Sequence, residues 1–175
     1  MDGLGAPWPG AVALSGGGDS LALMHLLADW ARARKLPPPV ALIVDHALRA
    51  ESAAEARKAA GFARKAGLTA HILTRKGAAP RSGIEAAARD ARYSLMGNWM
   101  RRHGIANLYV GHTLDDQAET FLLRLGRGSG LDGLAAMRGL APFPLPEFAD
   151  LNLARPLLRT SRAALRDFLK QRAQA

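Results

Sequence analysis

Hydrophobic and polar positions alternate along this chain in blocks that are typical of strands followed by helices. Short apolar runs predict buried strands at Ala11–Leu14, Val40–Val44, Thr69–Leu73 and Asn107–Val110. Longer segments with apolar residues at helical spacing predict helices at Asp19–Arg34, Glu51–Ala66, Ile84–His103, Asp116–Leu125 and Ser161–Arg172. The proline-rich segment Leu140–Pro156 is expected to be irregular. The alternation predicts an α/β protein, a mostly parallel sheet covered by helices on both faces.

The segment from Ala11 to Ser20 carries the strongest chemical signal. It reads Ala-Val-Ala-Leu-Ser-Gly-Gly-Gly-Asp-Ser, so a strand runs into three glycines that are bracketed by Ser15 and Ser20. Glycines let main-chain N–H groups approach a ligand closely, and a helix N-terminus attracts anions. The segment therefore predicts a phosphate site at Ser15–Ser20. It lacks the lysine of a Walker loop, and the carboxylate of Asp19 requires a divalent cation beside phosphate. The alternative is a turn in which Asp19 caps the helix.

Polar residues also follow the second and fourth predicted strands. Asp45 and His46 come directly after the second strand, and the stretch from His112 to Asp116 follows the fourth. Ligands of parallel sheets bind at the carboxyl ends of the strands, so these residues are expected near the glycine loop. The alternatives are a local turn at Asp45 and an ordinary structural histidine at position 112.

Three acids lie close together in the stretch His112-Thr-Leu-Asp-Asp-Gln-Ala-Glu119. Asp115 and Glu119 are four residues apart and share a helix face, and clustered acids suit a hard cation such as Mg²⁺. A structural interpretation is equally open, because Asp116 and Glu119 have the spacing of a capping box with Asp116 as the N-cap.

Arginines mark two further stretches of the chain. Arg124 and Arg127 flank a glycine-rich segment, where a flexible backbone lets guanidinium groups close over a phosphorylated ligand. Glu85, Arg89 and Arg92 lie along the long predicted helix at spacings that favour ion pairs. The alternatives are solvated arginines in the first stretch and a salt-bridged helix surface in the second.

Composition narrows the function classes. The 175 residues include 24 Lys and Arg against 15 Asp and Glu, for a formal charge of +9, and no cysteine. Disulfides, thiolate metal sites and cysteine nucleophiles are therefore excluded, and a polyanionic partner is favoured. No apolar run reaches the length of a membrane span and no signal peptide is evident, so a cytoplasmic location is expected.

Taken in order, several segments resemble the tRNA(Ile)-lysidine synthetases, a branch of the PP-loop ATP pyrophosphatases. The matching segments are Ser15-Gly-Gly-Gly-Asp-Ser20, Val44-Asp-His-Ala-Leu-Arg49, Glu85-Ala-Ala-Ala-Arg-Asp-Ala-Arg-Tyr93, Gly111-His-Thr-Leu-Asp-Asp-Gln-Ala-Glu-Thr120, Leu122-Leu-Arg-Leu-Gly-Arg-Gly-Ser-Gly130 and Arg155-Pro-Leu-Leu158. The resemblance implies a three-layer, Rossmann-like fold of the PP-loop or adenine nucleotide α-hydrolase type. It also implies that ATP with Mg²⁺ adenylates the wobble cytidine of a CAU anticodon, after which free lysine displaces AMP to leave lysidine.

The resemblance also implies roles for individual residues. The expected catalytic residues are Asp19, His112, Asp116 and Arg124, with Mg²⁺ held by Asp19 and Asp116 (Asp115 being the alternative to Asp116). The expected ATP-binding residues are Ser15, Gly16, Gly17, Gly18, Asp19, Ser20, Asp45, His46 and Gly111. The expected residues for tRNA and lysine are Glu85, Arg89, Arg92, Asp115, Glu119 and Arg127.

The chain also departs from the family pattern. Family members usually continue past the Arg155-Pro-Leu-Leu158 segment into an Asp-Pro-Ser-Asn-like and Arg-rich stretch, and many then carry C-terminal domains that bind tRNA. The expectation is therefore a single catalytic domain over residues 1–175, truncated at its C-terminus. The expected partners are tRNA(Ile) and L-lysine, with no membrane, and a homodimer stays open. The alternative function is a catalytically weak ATP-binding module, while a tRNA thiolase is disfavoured by the absence of cysteine.

Overall fold

The computed structural model describes residues 5–47, 51–75, 83–126 and 136–174. The strands are β1 (Ala11–Ala13), β2 (Val40–Asp45), β3 (Ala70–Thr74), β4 (Asn107–Tyr109), β5 (Leu140–Pro142) and β6 (Asn152–Ala154). The helices are α1 (Gly18–Ala33), α2 (Ser52–Lys65), α3 (Ile84–Arg102), α4 (Leu114–Gly126) and α5 (Arg162–Gln174), with a short 3-10 helix at Pro146–Phe148.

These strands form one six-stranded sheet in the order β3-β2-β1-β4-β6-β5. All neighbours are parallel except β5, which pairs antiparallel with β6 at the edge. Val12 at the centre is in register with Ala41 on one side and Tyr109 on the other. The chain therefore adds β2 and β3 on one side of β1 and then crosses over to add β4 on the other side. Such a switch point leaves a crevice at the carboxyl ends of the strands.

Helices cover both faces of the sheet, as the hydrophobic pattern predicts. Val12 faces one buried cluster, which it shares with side chains of α1, α2 and α5, while the adjacent Ala11 faces a second cluster built around α3. In β2, Ile43 and Leu42 divide between the two clusters in the same way. Successive side chains of a strand point to opposite faces, so this alternation defines a sheet that is buried on both sides.

The expectation that Leu140–Pro156 is irregular was wrong. This segment contains β5 and β6, and Leu153 and Ala154 of β6 are fully buried beside β4. Each strand has only three residues, too few for a recognisable alternation. Pairing stabilises both, since β6 pairs with β4 and β5 pairs with β6. Pro142 is tolerated because it ends the edge strand β5, where a missing N–H costs little.

Helix α4 differs from the sequence expectation in its first residue. The helix begins at Leu114, so Asp116 is its third residue rather than its N-cap. The Thr113 backbone N–H and hydroxyl each donate to Asp116 Oδ2 at 2.7 Å. The capping box therefore runs from Thr113 to Asp116, because the hydroxyl that precedes the helix takes the N-cap role.

Helix α4 also presents apolar side chains to solvent. No described residue of α4 is buried, and Leu122 and Leu123 are more than 60% exposed, at 64% and 62%. Among the described residues, none of the helices is both long enough and apolar enough for a membrane span.

Candidate functional site

A cleft of about 500 Å³ opens at the carboxyl ends of β1, β2 and β4. One end is lined by the glycine loop, including Ser15, Gly17 and Asp19. The lining also contains apolar side chains, with Val44 and Met96 among them. A polar loop of main-chain amides beside an apolar slot is the combination that a nucleotide requires, because phosphates and base need opposite surroundings.

Two serines fix the conformation of the glycine loop. Ser20 is buried, its hydroxyl donates to the Gly17 carbonyl at 2.9 Å, and it accepts from the Ser15 backbone N–H at 3.3 Å. The Ser15 and Ser20 hydroxyls are 3.1 Å apart. Gly16 has φ +84°, a left-handed conformation that favours glycine. The loop is thus tied to the first turn of α1 by side chains that lie on either side of the glycines.

The first turn of α1 remains available to a ligand. Its N-cap is Gly17, which has no side chain to satisfy the orphan N–H groups of the turn. Those N–H groups and the positive end of the helix dipole lie at the cleft. The arrangement favours an anion such as a phosphate group.

Gly111 brings the end of β4 against the start of α1. A Cβ built at Gly111 would lie 3.1 Å from the carbonyl carbon and oxygen of Asp19 and 3.1 Å from the Ser20 nitrogen. These are backbone atoms, so they cannot move aside as a flexible side chain would. The absence of a side chain at Gly111 therefore allows β4 and the glycine loop to approach this closely.

Asp19 and Asp116 meet across the cleft on a shared guanidinium. Arg162, the first residue of α5, places Nη2 at 2.6 Å from Asp116 Oδ1 and Nε at 3.5 Å from Asp19 Oδ2. Burial alone would raise the pKa of Asp116, but hydrogen bonds from Thr113 and the charge of Arg162 hold that pKa below its usual value. Asp116 is therefore ionised at neutral pH.

Two more acids of α4 contact the same arginine. Glu119 Oε1 lies 2.6 Å from Arg162 Nη1, and Asp115 Oδ2 accepts the Arg162 backbone N–H at 2.8 Å. We call Asp19, Asp115, Asp116 and Glu119 the carboxylate cluster. Within the described ranges, no group of three or more His, Asp or Glu side chains forms a metal site by itself.

His112 is held by a second arginine that also lies outside the predicted site. Arg155 Nε donates to His112 Nδ1 at 3.1 Å, so Nδ1 carries no proton and Nε2 does. Burial, and after it the charge of Arg155, lowers the pKa of His112. The imidazole at the cleft is therefore neutral at pH 7 and presents an N–H donor.

Replacing Arg155 with methionine is expected to raise the pKa of His112 toward its usual value and to free Nδ1 for protonation. The remaining burial should keep the pKa somewhat low. NMR titration of the His112 ring nitrogens measures both effects. Arg159→Met is the control, because Arg159 is exposed and is not among the groups that shift the pKa of His112. An unchanged titration in Arg155→Met would contradict the assigned tautomer.

His46 and two arginines of α3 form the opposite wall. Arg92 donates to His46 Nε2, at 3.4 Å from Nε and 3.2 Å from Nη2, and Arg89 lies over the ring of the buried Tyr93 at 5.2 Å. Burial and the Arg92 charge lower the pKa of His46. Both arginines are exposed at the mouth of the cleft, where they face incoming anions.

Asp45 is buried, and its contacts match the local-turn interpretation. Its Oδ1 accepts from the Ser52 hydroxyl at 2.7 Å and from the Ala47 backbone N–H at 2.9 Å. These two bonds lower the pKa of Asp45. The side chain joins the end of β2 to the start of α2 and is not part of the cleft lining.

The structure brings most of the predicted residues together. Those that line the cleft are Ser15, Gly17, Gly18, Asp19, Ser20, His46, Arg89, Arg92, Gly111, His112 and Asp116. Those described but outside the lining are Gly16, Asp45, Asp115, Glu119 and Arg124. Arg127 and the side chain of Glu85 lie outside the described part of the chain.

Several contributors to the site were missed from the sequence. Arg162 was not considered, and Arg155 was quoted only as part of a segment. Glu55 and Ser52 of α2 and the apolar residue Met96 also line the cleft. Of these, only Arg155 carried a signal in the sequence, since it lies in a segment that resembles the family. Arg162 carried none, because an isolated arginine at a helix start is ordinarily a surface residue.

The sheet is doubly wound, with a glycine loop and an uncapped helix start at its switch point. This is the arrangement of the α/β nucleotide-binding proteins. The chain belongs to the PP-loop domain family, whose sequence profile matches residues 9–175. The Rossmann-like PP-loop fold expected from the sequence is confirmed by this membership.

Curated relatives indicate one branch of that family. The chain is 47% identical over 161 residues to the tRNA(Ile)-lysidine synthase of Bradyrhizobium diazoefficiens, covering 91% of this chain and 43% of that protein. It is 42% identical over 159 residues to the tRNA(Ile)-lysidine synthase of a Wolbachia species, covering 90% of this chain and 36% of that protein. The chain thus spans less than half the length of these relatives.

A solved structure supports the fold. The chain superimposes with a TM-score of 0.77 on a U34-tRNA thiolase from Methanococcus maripaludis solved with its 4Fe-4S cluster, covering 99% of this chain and 60% of that one. Sequence identity is 19%, so the likeness is one of fold alone.

Proposed function

We propose that this chain carries the ATP-dependent ligase activity of a tRNA(Ile)-lysidine synthase. The C2 oxygen of cytidine 34 attacks the α-phosphorus of ATP, the bond to the β-phosphate breaks, and pyrophosphate leaves. The amine of free lysine then attacks C2, the bond to the phosphoryl oxygen breaks, AMP leaves, and the amine loses a proton. Identity of 42–47% to curated proteins of that name over about 90% of this chain is the observation that carries the proposal.

The glycine loop is the proposed pyrophosphate site. The uncapped N–H groups of the first turn of α1 bind the outer phosphates. Gly111 lets the end of β4 pack directly against that turn, which encloses the phosphates on the β4 side. The base enters the apolar slot beside Met96 and Val44. His46, which is bonded to Arg92, also lines the cleft and is proposed to contact the ribose or the α-phosphate. ATP then lies across the switch point of the sheet.

The chain also fits a Mg²⁺ ion when the nucleotide supplies part of its coordination. Asp19 and Asp116 contact one guanidinium, so both carboxylates reach a single cationic centre. Mg²⁺ characteristically takes one or two carboxylates together with substrate phosphates and water. When bound, the ion would neutralise charge that develops on the phosphates during transfer.

The residues around the reacting centre divide by charge. His112, fixed by Arg155, donates an N–H toward the α-phosphate, and Arg89 and Arg92 attract the anionic tRNA backbone to the mouth. Glu119 and Asp115 on α4 are proposed for the cationic lysine, and Arg127 and Glu85 for other substrate contacts. Arg124 is proposed as a catalytic residue beside the reacting phosphate. A formal charge of +9 favours an RNA partner.

Nucleoside mass spectrometry of a CAU-anticodon isoleucine tRNA tests the proposal. The tRNA is incubated with the chain, ATP, Mg²⁺ and lysine, then digested. Lysidine in the digest is the expected product, and it should be absent when lysine or ATP is omitted.

A parallel ATP titration separates the alternatives. Lysidine would establish the activity in this chain. No lysidine together with tight Mg²⁺–ATP binding would instead favour a nucleotide-binding module that is catalytically weak. If the chain formed no lysidine and also bound no ATP, the result would contradict the nucleotide site itself.

A further inference from the structure

We propose that Arg162 is a built-in counter-cation of the carboxylate cluster, which an incoming metal ion must displace. The guanidinium contacts Asp19, Asp116 and Glu119, and the backbone N–H of the same residue contacts Asp115. One residue of α5 thereby holds acids from the phosphate loop and from α4. The inference rests on the proposed function only in treating Asp19 and Asp116 as the acids that face a cation.

The hydrogen bonds of Asp116 show why the Arg162 guanidinium and a metal ion compete for it. Its Oδ2 already accepts two bonds from Thr113, through the backbone N–H and the hydroxyl. The remaining oxygen, Oδ1, lies 2.6 Å from Arg162 Nη2. A metal ion that binds Asp116 without disturbing the start of α4 has to approach Oδ1, which the guanidinium occupies.

The setting makes this contact stronger than a surface ion pair. The side chains of Arg162 and Asp116 are 34% and 24% exposed, so both are partly withdrawn from water. The arginine forms a fork with Asp116 and Glu119, each at 2.6 Å. Partly desolvated, multiply bonded guanidinium groups hold carboxylates more firmly than exposed pairs do.

The same helix provides a matched pair away from the cleft. Arg172, near the far end of α5, contacts Asp29 of α1 at 2.6 Å and is also 34% exposed. Arg172 and Arg162 both join α5 to α1, but only Arg162 reaches the carboxylate cluster. Loss of the α1–α5 tie can therefore be separated from loss of the counter-cation.

The test is Mn²⁺ binding to the nucleotide-free protein, followed through the electron paramagnetic resonance signal of free Mn²⁺. Arg162→Gln is expected to bind Mn²⁺ about 10-fold more tightly than the wild type, because an unneutralised cluster attracts a divalent ion more strongly. Arg172→Gln should stay within about twofold of the wild type. Thermal unfolding of each variant checks that it folds.

Arg162→Lys keeps the inference testable if the glutamine variant does not fold. Lysine retains the charge but cannot bridge several carboxylates as a fork, so the affinity for Mn²⁺ is expected to rise about threefold. Unchanged or weaker Mn²⁺ binding in a folded Arg162 variant would overturn the proposal and leave Arg162 as a residue that only positions the acids. Because the readout needs neither ATP nor tRNA, failure of lysidine formation would not affect this outcome.

Discussion

Asp19→Asn is expected to lower pyrophosphate release by at least about 100-fold while leaving the fold intact, a loss comparable to that of a charge stabiliser in other active sites. Asp19 lies in the first turn of α1 and lines the cleft, and its partly exposed carboxylate pairs with Arg162. Asparagine has the same shape but lacks the negative charge that a metal ion beside the phosphates requires. The measurement is pyrophosphate release with ATP, Mg²⁺ and the CAU-anticodon tRNA.

Asp29→Asn provides the matched control. Asp29 lies on the same helix and pairs with Arg172 and Arg32, but it is not part of the cleft lining. This variant should retain pyrophosphate release and lose little stability, since partly exposed ion pairs contribute about 1 kcal/mol or less. Wild-type turnover of Asp19→Asn with Mg²⁺ would show that the metal role proposed for Asp19 is wrong.

Gly111→Ala is expected to reduce pyrophosphate release by about 10- to 100-fold, because misplacement of reacting groups by a fraction of an ångström is costly. The new Cβ would lie 3.1 Å from backbone atoms of Asp19 and Ser20, so β4 and the first turn of α1 have to separate by a few tenths of an ångström. The free energy of unfolding should fall by about 1–3 kcal/mol, as in other overpacked sites. Steady-state kinetics and chemical denaturation measure the two effects.

The control for this substitution is Gly61→Ala. Gly61 lies within α2, and a Cβ built there meets nothing within 4 Å. Alanine should stabilise the helix by up to about 1 kcal/mol and leave the activity unchanged. If Gly111→Ala behaved like Gly61→Ala, the close approach of β4 to the phosphate loop would not be needed for function.

Much of the fold could be predicted because its signals are local. Periodic apolar residues indicated strands β1 to β4 and helices α1 to α5 within a few residues of their observed ends. Strands β5 and β6 could not be predicted in this way. Each has three residues and depends on pairing that reaches back to β4, with Asn152 N–H donating to the Ala106 carbonyl at 2.8 Å.

In the candidate site, too, the features that depend on neighbouring residues were predictable and those that depend on distant contacts were not. The turn between β1 and α1 at Ser15–Ser20 was predictable since its glycines and serines are adjacent in sequence and their conformational demands are intrinsic. Phosphate binding there stays a prediction. Asp45 followed a strand as His46 did, yet Ser52 holds it away from the cleft. The capping box on α4 was placed three residues late, because Thr113 and Asp116 form the reciprocal bonds that were expected of Asp116 and Glu119.

The sequence by itself determined the class of this protein: an α/β chain with a glycine loop at a helix start and acids and histidine after later strands. These features follow from residue type and short spacing, which act before any long-range contact forms. The tertiary structure alone decided which charges meet, since Arg162 pairs with Asp116 across 46 positions and Arg155 with His112 across 43. Contacts between such distant residues depend on how the helices and strands pack, and no local pattern encodes them.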